Sequence, residues 1–368
     1  MGAFRLLMVA AAAAALPPST VYVMRHCSRS TYLPDLEHQP VYQYLANYSD
    51  GGELPDWGVA PQLCTARGRR IVRGEGAALK ETFAGYGTVV AFHDSGSKRD
   101  ATTAADFLEG LGLGIASAPS ADLFNPVRAG YCAPLAPADR ARAFADQLVA
   151  VTPPPRLEER VAALQSALGV GVAPRIETIP DVVNATTGGW GGGTAIASEW
   201  IECLLLQGGA GLPPGYGRFT NESVYAMTDI HQYAFAVKAR GLPIARRYGS
   251  NLAAHVVAGL ADANAGNAAV FVGHDTNLEQ LGALLNLTWA LPPYADNLSP
   301  PGSILRLTAS DSPTGRVVEA DLLYTTFESD DGALRRSSVA FSYDFAGLPL
   351  AEFAARANAT FEAACVRL

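Results

Sequence analysis

No basic tract occurs in this 368-residue chain, whose formal net charge is −8. It lacks the electrostatic footprint that nucleic-acid binding requires, so no nucleic acid is expected as a partner. The apolar run from Leu6 to Leu16 falls short of the ~20 residues needed to cross a bilayer, so no stable membrane insertion is expected. Cysteine is scarce: there are five, without a CxxC pair or a His/Cys ligand pattern. Neither a metal site nor a cofactor is expected from that spacing. Tandem repeats and long blocks of one charge are also missing. The glycine run Gly188-Gly189-Trp190-Gly191-Gly192-Gly193 has no strand before it and no lysine after it in nucleotide-loop spacing. It reads as a flexible lead-in to a helix capped by Thr194.

What is present suits a large core: 49% of residues are hydrophobic, enough for one main domain with an insertion. Arg5, the apolar run and the small residues at 14–18 form a secretory signal pattern over residues 1–18, and a secreted or periplasmic location follows. Six N-x-S/T sequons, at Asn47, Asn184, Asn221, Asn286, Asn297 and Asn358, matter only if the source attaches glycans.

Strand and helix patterns alternate at both ends of the chain. Strands are expected from Ser19 to Met24, from Thr88 to Phe92 and from Ala268 to Val272, with helices over Ala66–Ala84, Ala101–Leu111 and Leu278–Leu285. Between them, Pro137–Val151, Pro155–Leu168, Ala195–Gln207, Glu222–Arg240 and Ile244–Ala261 read as helices. The pattern predicts an α/β core, residues 19–130 and 222–368, interrupted by a mainly helical cap over 131–221.

Two of those strands end in histidine. Thr20-Val21-Tyr22-Val23-Met24 runs into Arg25-His26 and then Arg29, which sets two permanent cations beside an imidazole. Planar guanidinium groups match phosphoryl oxygens, and imidazole is a nucleophile, so the trio suits a phosphate group. Alone, the segment leaves a surface salt-bridging stretch open. Ala268-Ala269-Val270-Phe271-Val272 delivers Gly273-His274-Asp275-Thr276-Asn277 into a loop. In open α/β sheets ligands bind beyond the carboxyl ends of strands, so the two segments are expected to converge.

At these residues the chain resembles the histidine acid phosphatases, in the branch that holds bacterial phytases and glucose-1-phosphatases. The family's R-H-G-x-R-x-P motif stands here as Arg25-His26-Cys27-Ser28-Arg29-Ser30-Thr31, and its H-D motif as His274-Asp275. Further segments follow in family order: Leu63-Cys64-Thr65-Ala66-Arg67-Gly68, Leu123-Phe124-Asn125-Pro126 leading to Cys132, Ile201-Glu202-Cys203, and Leu285 to Pro292. The resemblance implies a phosphoglycerate-mutase-like three-layer core with a central mixed sheet and an inserted helical cap, the site lying in the cleft between them. It also implies hydrolysis of a small phosphate monoester, metal-free, through a phosphohistidine.

The implied roles follow residue by residue. His26 is the nucleophile, Arg25 and Arg29 clamp phosphoryl oxygens, and His274 donates a hydrogen bond to them. Arg99 is the remote third cation, with Lys98 its rival. Asp275 is the general acid, and a carboxyl near its ordinary value of ~3.9 is protonated only in acid, which implies an acidic optimum. Glu202 contacts substrate or is a solvated helix carboxylate, and Thr276 contacts ligand or caps a helix. Cys132 and Cys365 match positions paired in bacterial phytases. Cys64 and Cys203 have no such counterpart and read as buried free thiols on helical faces. His231, on an apolar helical stripe, reads as structural, and His38, His93 and His255 carry no role.

The chain departs from the pattern at Cys27, where the family has Gly, at Thr31, where it has Pro, and at Leu33, where phytases of the branch carry a Lys. A free thiol beside the nucleophile invites oxidation. Two alternatives stay open: a phosphotransferase on the same scaffold, and an inactive phosphate-binding surface protein with Cys27 as its sign of decay. The ester itself and the oligomeric state are not legible.

Overall fold

The computed structural model describes residues 19–31, 45–51, 56–261, 266–313, 315–329, 332–342 and 345–368. The signal pattern, Leu33 and His38 lie outside them. Strand β1 (Ser19–Arg25) is buried along its whole length. Its apolar side chains alternate between two cores, as a pleated strand requires. Val21 and Val23 join one with Leu204, Val257 and Leu281, while Tyr22 and Met24 join the other with Val72, Phe83 and Phe107. Each fully buried side chain of this kind contributes roughly 1.5–3 kcal/mol.

The second core is supplied by α1 (Ala66–Ala84) and α2 (Lys98–Leu111), with β2 (Thr88–His93) between them in sequence. After β3 (Ala118–Pro119) and α3 (Ala121–Phe124) come α4 (Pro137–Ala150) and α5 (Leu157–Leu168). A hairpin of β4 (Val182–Asn184) and β5 (Gly189–Gly191) leads to α6 (Gly193–Ala210), α7 (Asn221–Lys238) and α8 (Leu242–Ala261). Then follow β6 (Asn267–Gly273), α9 (Asp275–Leu284), β7 (Leu287–Trp289), β8 (Ile304–Ser312), β9 (Gly315–Tyr324), β10 (Arg335–Phe341) and α10 (Leu350–Thr360).

One eight-stranded mixed sheet has the order β3-β2-β6-β1-β8-β9-β10-β7. β6 lies between β1 and β2, parallel to both, with Arg25 opposite Gly273 and His93 opposite Val272. The carboxyl ends of three strands therefore meet at one edge of the sheet. β8, β9, β10 and β7 continue it antiparallel.

Several local expectations are corrected. Helix α2 begins at Lys98, three residues before the expected Ala101, because Ser97 is extended at the N-cap position and Asp100 favours the first turn. The glycine run is ordered: Trp190 pairs with Val183 in the hairpin and is buried. Gly192 occupies the cap position of α6, with Thr194 already inside the helix. Cys132 is bonded to Cys365, closing a separation of 233 residues. Cys27 is bonded to Cys64, whereas the sequence reading held both thiols free. Cys64 precedes α1 rather than lying on a helix, and Cys203 alone is a free buried thiol.

Candidate active site

The loop after β1 is held from every side. The amide of His26 donates to Gly273 O (2.9 Å), that of Gly302 to His26 O (3.0 Å), and that of Cys27 to Thr103 Oγ1 (2.9 Å). Ser30 and Thr65 amides donate to Leu63 O and Ser28 O, both at 3.0 Å, and Ser28 Oγ donates to Leu206 O at 2.8 Å. Gly68 permits the contact with α1, since a Cβ there would stand 2.3 Å from Ser28 O. The Cys27–Cys64 bond adds a covalent tie to the same junction. Behind the loop, Glu75 of α1 lies against Gly302, fully buried, with neither oxygen hydrogen-bonded among the described residues. Burial pushes its carboxyl well above the ordinary range.

This scaffold fixes the tautomer of His26. Nδ1 is 2.9 Å from Cys27 O, and a carbonyl only accepts, so Nδ1 carries the proton and Nε2 keeps its lone pair. Burial, then Arg99, Arg29, His274 and Arg25 in turn, hold the imidazole well below its usual range. It is neutral and buried in a cationic surround.

Arg25 is completely buried. Its Nη1 donates to Ser299 O (2.5 Å), and its Nη2 faces Glu202 Oε1 (2.5 Å) and Asp275 Oδ2 (2.9 Å). Glu202 is thus a buried counterion, with His231 Nε2 3.4 Å from its Oε2, and not a solvated helix carboxylate. Asp275 is the first residue of α9 and accepts from the Thr276 amide at 2.7 Å. Burial works to raise its carboxyl, but Arg25, His274 and His231 outweigh it and leave the group below its ordinary value. That corrects the expectation of an unperturbed carboxyl in the free site. His274, not Thr276, takes the N-cap position of α9, and Thr276 lies in the first turn, on the pocket wall.

Arg99 sits in the first turn of α2, with Nη1 3.3 Å from Gln62 Oε1 and Nη2 3.3 Å from His274 Nδ1. Lys98 is exposed and outside the pocket, whereas Arg99 lines it. The rings of His26 and His274 meet edge to face, 5.5 Å apart. Gly273 allows the turn into His274, because a Cβ there would reach within 2.6 Å of Asn277 Oδ1.

A cavity of about 260 Å³ gathers His26, Arg29, Arg99, His274, Asp275, Thr276, Glu199, Glu202, His231 and Phe235. Sequence reasoning assigned no site role to His231, Glu199, Phe235, Asp94 or Asp100. His231 was read as structural, and its Nδ1 is indeed held by Ser198 O at 3.0 Å, yet Nε2 turns to Glu202 at the pocket. Asp94 follows β2 and stands 3.2 Å from His274 Nε2. Burial opposes its charge, but hydrogen bonds from His274, Arg128 and Gly96 hold it far below the ordinary range. Ligand atoms of His26, Asp100 and His274 lie within 4.8 Å of one another, but Arg29 and Arg99 line the same pocket and the buried Arg25 acts on His26 as well. These guanidinium groups disfavour a cation there and favour an anion.

No protein-family model matches the chain. Phytase AppA of Escherichia coli (strain K12) is 31% identical over 126 residues, which span 31% of this chain and 29% of that protein. The fold matches along nearly the whole chain. The apo phytase of Hafnia alvei superposes with a TM-score of 0.80 at 21% identity, covering 96% of this chain and 98% of that one. The Citrobacter braakii phytase gives 0.78 at 20% identity, covering 96% and 100%. The chain therefore has the α/β architecture of these phytases. The chain is thus similar to bacterial phytases, locally in sequence and over nearly its whole length in fold.

Proposed function

We propose that this protein is an acid phosphomonoesterase in which His26 accepts the phosphoryl group and water then releases it. The observation that carries the reading is the state of His26: Nδ1–H is tied to a backbone carbonyl, Nε2 is unprotonated, and Arg29, Arg99 and His274 ring the pocket into which it opens. A phosphate ester repels nucleophiles and has a poor alkoxide leaving group, so charge neutralisation, an in-line nucleophile and an acid are all needed. Arg29 and Arg99 neutralise the phosphoryl oxygens from the wall. Arg25 acts from beneath, its own charge balanced by Glu202 and Asp275 until substrate arrives.

Asp275 then serves as the acid. Because Arg25 holds it ionised in the empty site, its proton is acquired in acid or arrives with a monoanionic ester. The Hafnia alvei phytase has been solved with tartrate and with myo-inositol hexakis sulphate, both polyanions, which supports an anion-binding reading of the matching fold. The inactive alternative took Cys27 as its sign of decay, and the bond to Cys64 gives that cysteine a structural role instead. We place residues 131–221 as a cap whose helix α6 contributes Glu199 and Glu202 to the cleft. Two disulfides suit an oxidising compartment, in keeping with a secreted or periplasmic enzyme. None of the helices among the described residues is long and apolar enough to cross a membrane.

Turnover of p-nitrophenyl phosphate across pH, with and without EDTA, tests the reading. Activity is expected to peak in acid and to survive chelation. Loss in EDTA with recovery on adding a divalent ion would overturn the metal-free mechanism.

A further inference from the structure

A disulfide stands next to the nucleophile of the proposed reaction. Cys27, the residue after His26, is bonded to Cys64, and both are buried. The Cys27 amide donates to Thr103 Oγ1, and the Cys27 carbonyl accepts from His26 Nδ1, both at 2.9 Å. Across the bond, Cys64 Sγ lies 3.6 Å from the same Thr103 Oγ1 and 3.5 Å from Arg99 O in the first turn of α2. The bridge is therefore packed between the backbone of the nucleophile loop and the backbone of a phosphate-facing arginine.

A neutral imidazole has two tautomers, and they are not equivalent here. With the proton on Nδ1 the lone pair is on Nε2, free to attack phosphorus; with the proton on Nε2 that nitrogen cannot attack. What selects the first tautomer is the carbonyl of Cys27, borne on the peptide between Cys27 and Ser28. The Ser28 end of that peptide is tied by the Thr65 amide donating to Ser28 O (3.0 Å) and by Ser28 Oγ donating to Leu206 O (2.8 Å). The Cys27 end is tied by the Thr103 hydrogen bond at the amide and by the disulfide at the side chain.

We infer that the Cys27–Cys64 bond is a positioning element for His26. By clamping one end of the peptide it keeps the carbonyl on Nδ1 and the lone pair on Nε2. Without it the peptide keeps its hydrogen bonds but gains room to rotate, and a ring whose acceptor has turned away no longer favours the reactive tautomer. This role is separate from stability. In the chain-entropy account a cross-link stabilises more the longer the loop it closes, so the 233-residue separation of Cys132–Cys365 should weigh more in melting than the 37 of Cys27–Cys64. The inference rests on the reading of His26 as the nucleophile.

The test compares Cys27→Ala, Cys64→Ala and the double variant with the protein lacking the other bridge, Cys132→Ala/Cys365→Ala. Each of the first three is expected to lose kcat by roughly 10–100-fold, the scale of a misplaced reacting group, with KM within about twofold of wild type. The double variant should be no worse than either single, because either change removes the whole bond. Cys132→Ala/Cys365→Ala should melt lower and keep its kcat. NMR of the labelled ring nitrogens, with His26 assigned by its loss in His26→Gln, should show Nδ1–H alone in the wild type and a mixture with Nε2–H in the three variants. Wild-type kcat or an unchanged tautomer in folded Cys64→Ala would overturn the role. So would a double variant that loses the product of the two single losses, which would place the effect in side-chain packing, or an equal loss of kcat without the other bridge, which would place it in stability. Cys64→Ala leaves the nucleophile loop's sequence whole and carries the test should Cys27→Ala fail to fold. A wild-type protein that turns over no phosphate monoester would overturn the functional reading, while the tautomers would still decide whether the bond sets the ring.

Discussion

Two histidines 5.5 Å apart occupy the same pocket and are prepared for opposite tasks. His26 gives its Nδ1 proton to a carbonyl and has cations around it, so it stays neutral with a lone pair at Nε2. His274 has Asp94 and Asp100 at Nε2 and Arg99 at Nδ1. The difference lies in the partners of the ring nitrogen that faces away from substrate. A carbonyl behind an imidazole makes a nucleophile, and carboxylates behind one make a hydrogen-bond donor.

The contrast breaks most visibly at the nucleophile. His26→Ala should abolish turnover of every ester, by roughly 10⁴-fold or more, whereas His274→Ala should cost roughly 10–100-fold, the worth of a charged hydrogen bond. Equal losses would mean the two rings share one role, and phosphoryl trapped by acid quench on any residue other than His26 would end the mechanism. Next in size, Asp275→Asn should slow alkyl esters by ~10²–10⁴-fold and p-nitrophenyl phosphate much less, since phenolate leaves with little help. Equal losses on the two esters would move Asp275 to an electrostatic role.

A smaller effect concerns pH. His26 is held below the ordinary imidazole value, so the nucleophile stays unprotonated as pH falls through 6.5. Pre-steady-state phosphorylation rates should not drop there; a fall with that midpoint would place His26 in an ordinary environment. The least effect is on stability, behind the nucleophile loop. Glu75 is neutral in the fold and ionises above the unfolded value of 4.5, so it favours the folded state in acid and costs stability as pH rises past that value. Glu75→Gln should therefore stabilise by about 1–3 kcal/mol near neutrality and by little at low pH. Thermal melts at the two pH values that give the same gain would show the carboxyl to be paired.

How far the sequence reaches is seen in the same two rings. Arg25, His26, Arg29, His274 and Asp275 are legible because they stand within a few residues of two apolar runs that read as buried strands, and because the two segments together resemble a family's motifs. Asp94 and Asp100 are not, since a lone Asp after a strand and another inside a helix give no local signal. Only the order β2-β6-β1 brings them to His274. His231 shows the limit of periodicity, which reports that a face is buried and is silent about Glu202 in the same burial. The Cys27–Cys64 bond escaped because motif comparison supplies Gly at the first position and nothing at the second. The antiparallel strands β8 to β10 went unread, and with them most of one half of the sheet.

That bond also sets an order in time. Cys27 and Cys64 are separated by 37 residues, Cys132 and Cys365 by 233. Synthesis proceeds from the N-terminus, so both partners of the first bond exist before His274 and Asp275 are made, and the second bond must await Cys365. The half of the site that holds the nucleophile can be tied before the half that holds the acid has been built. A chain cut short before Cys365 would keep the first tie and lack the second.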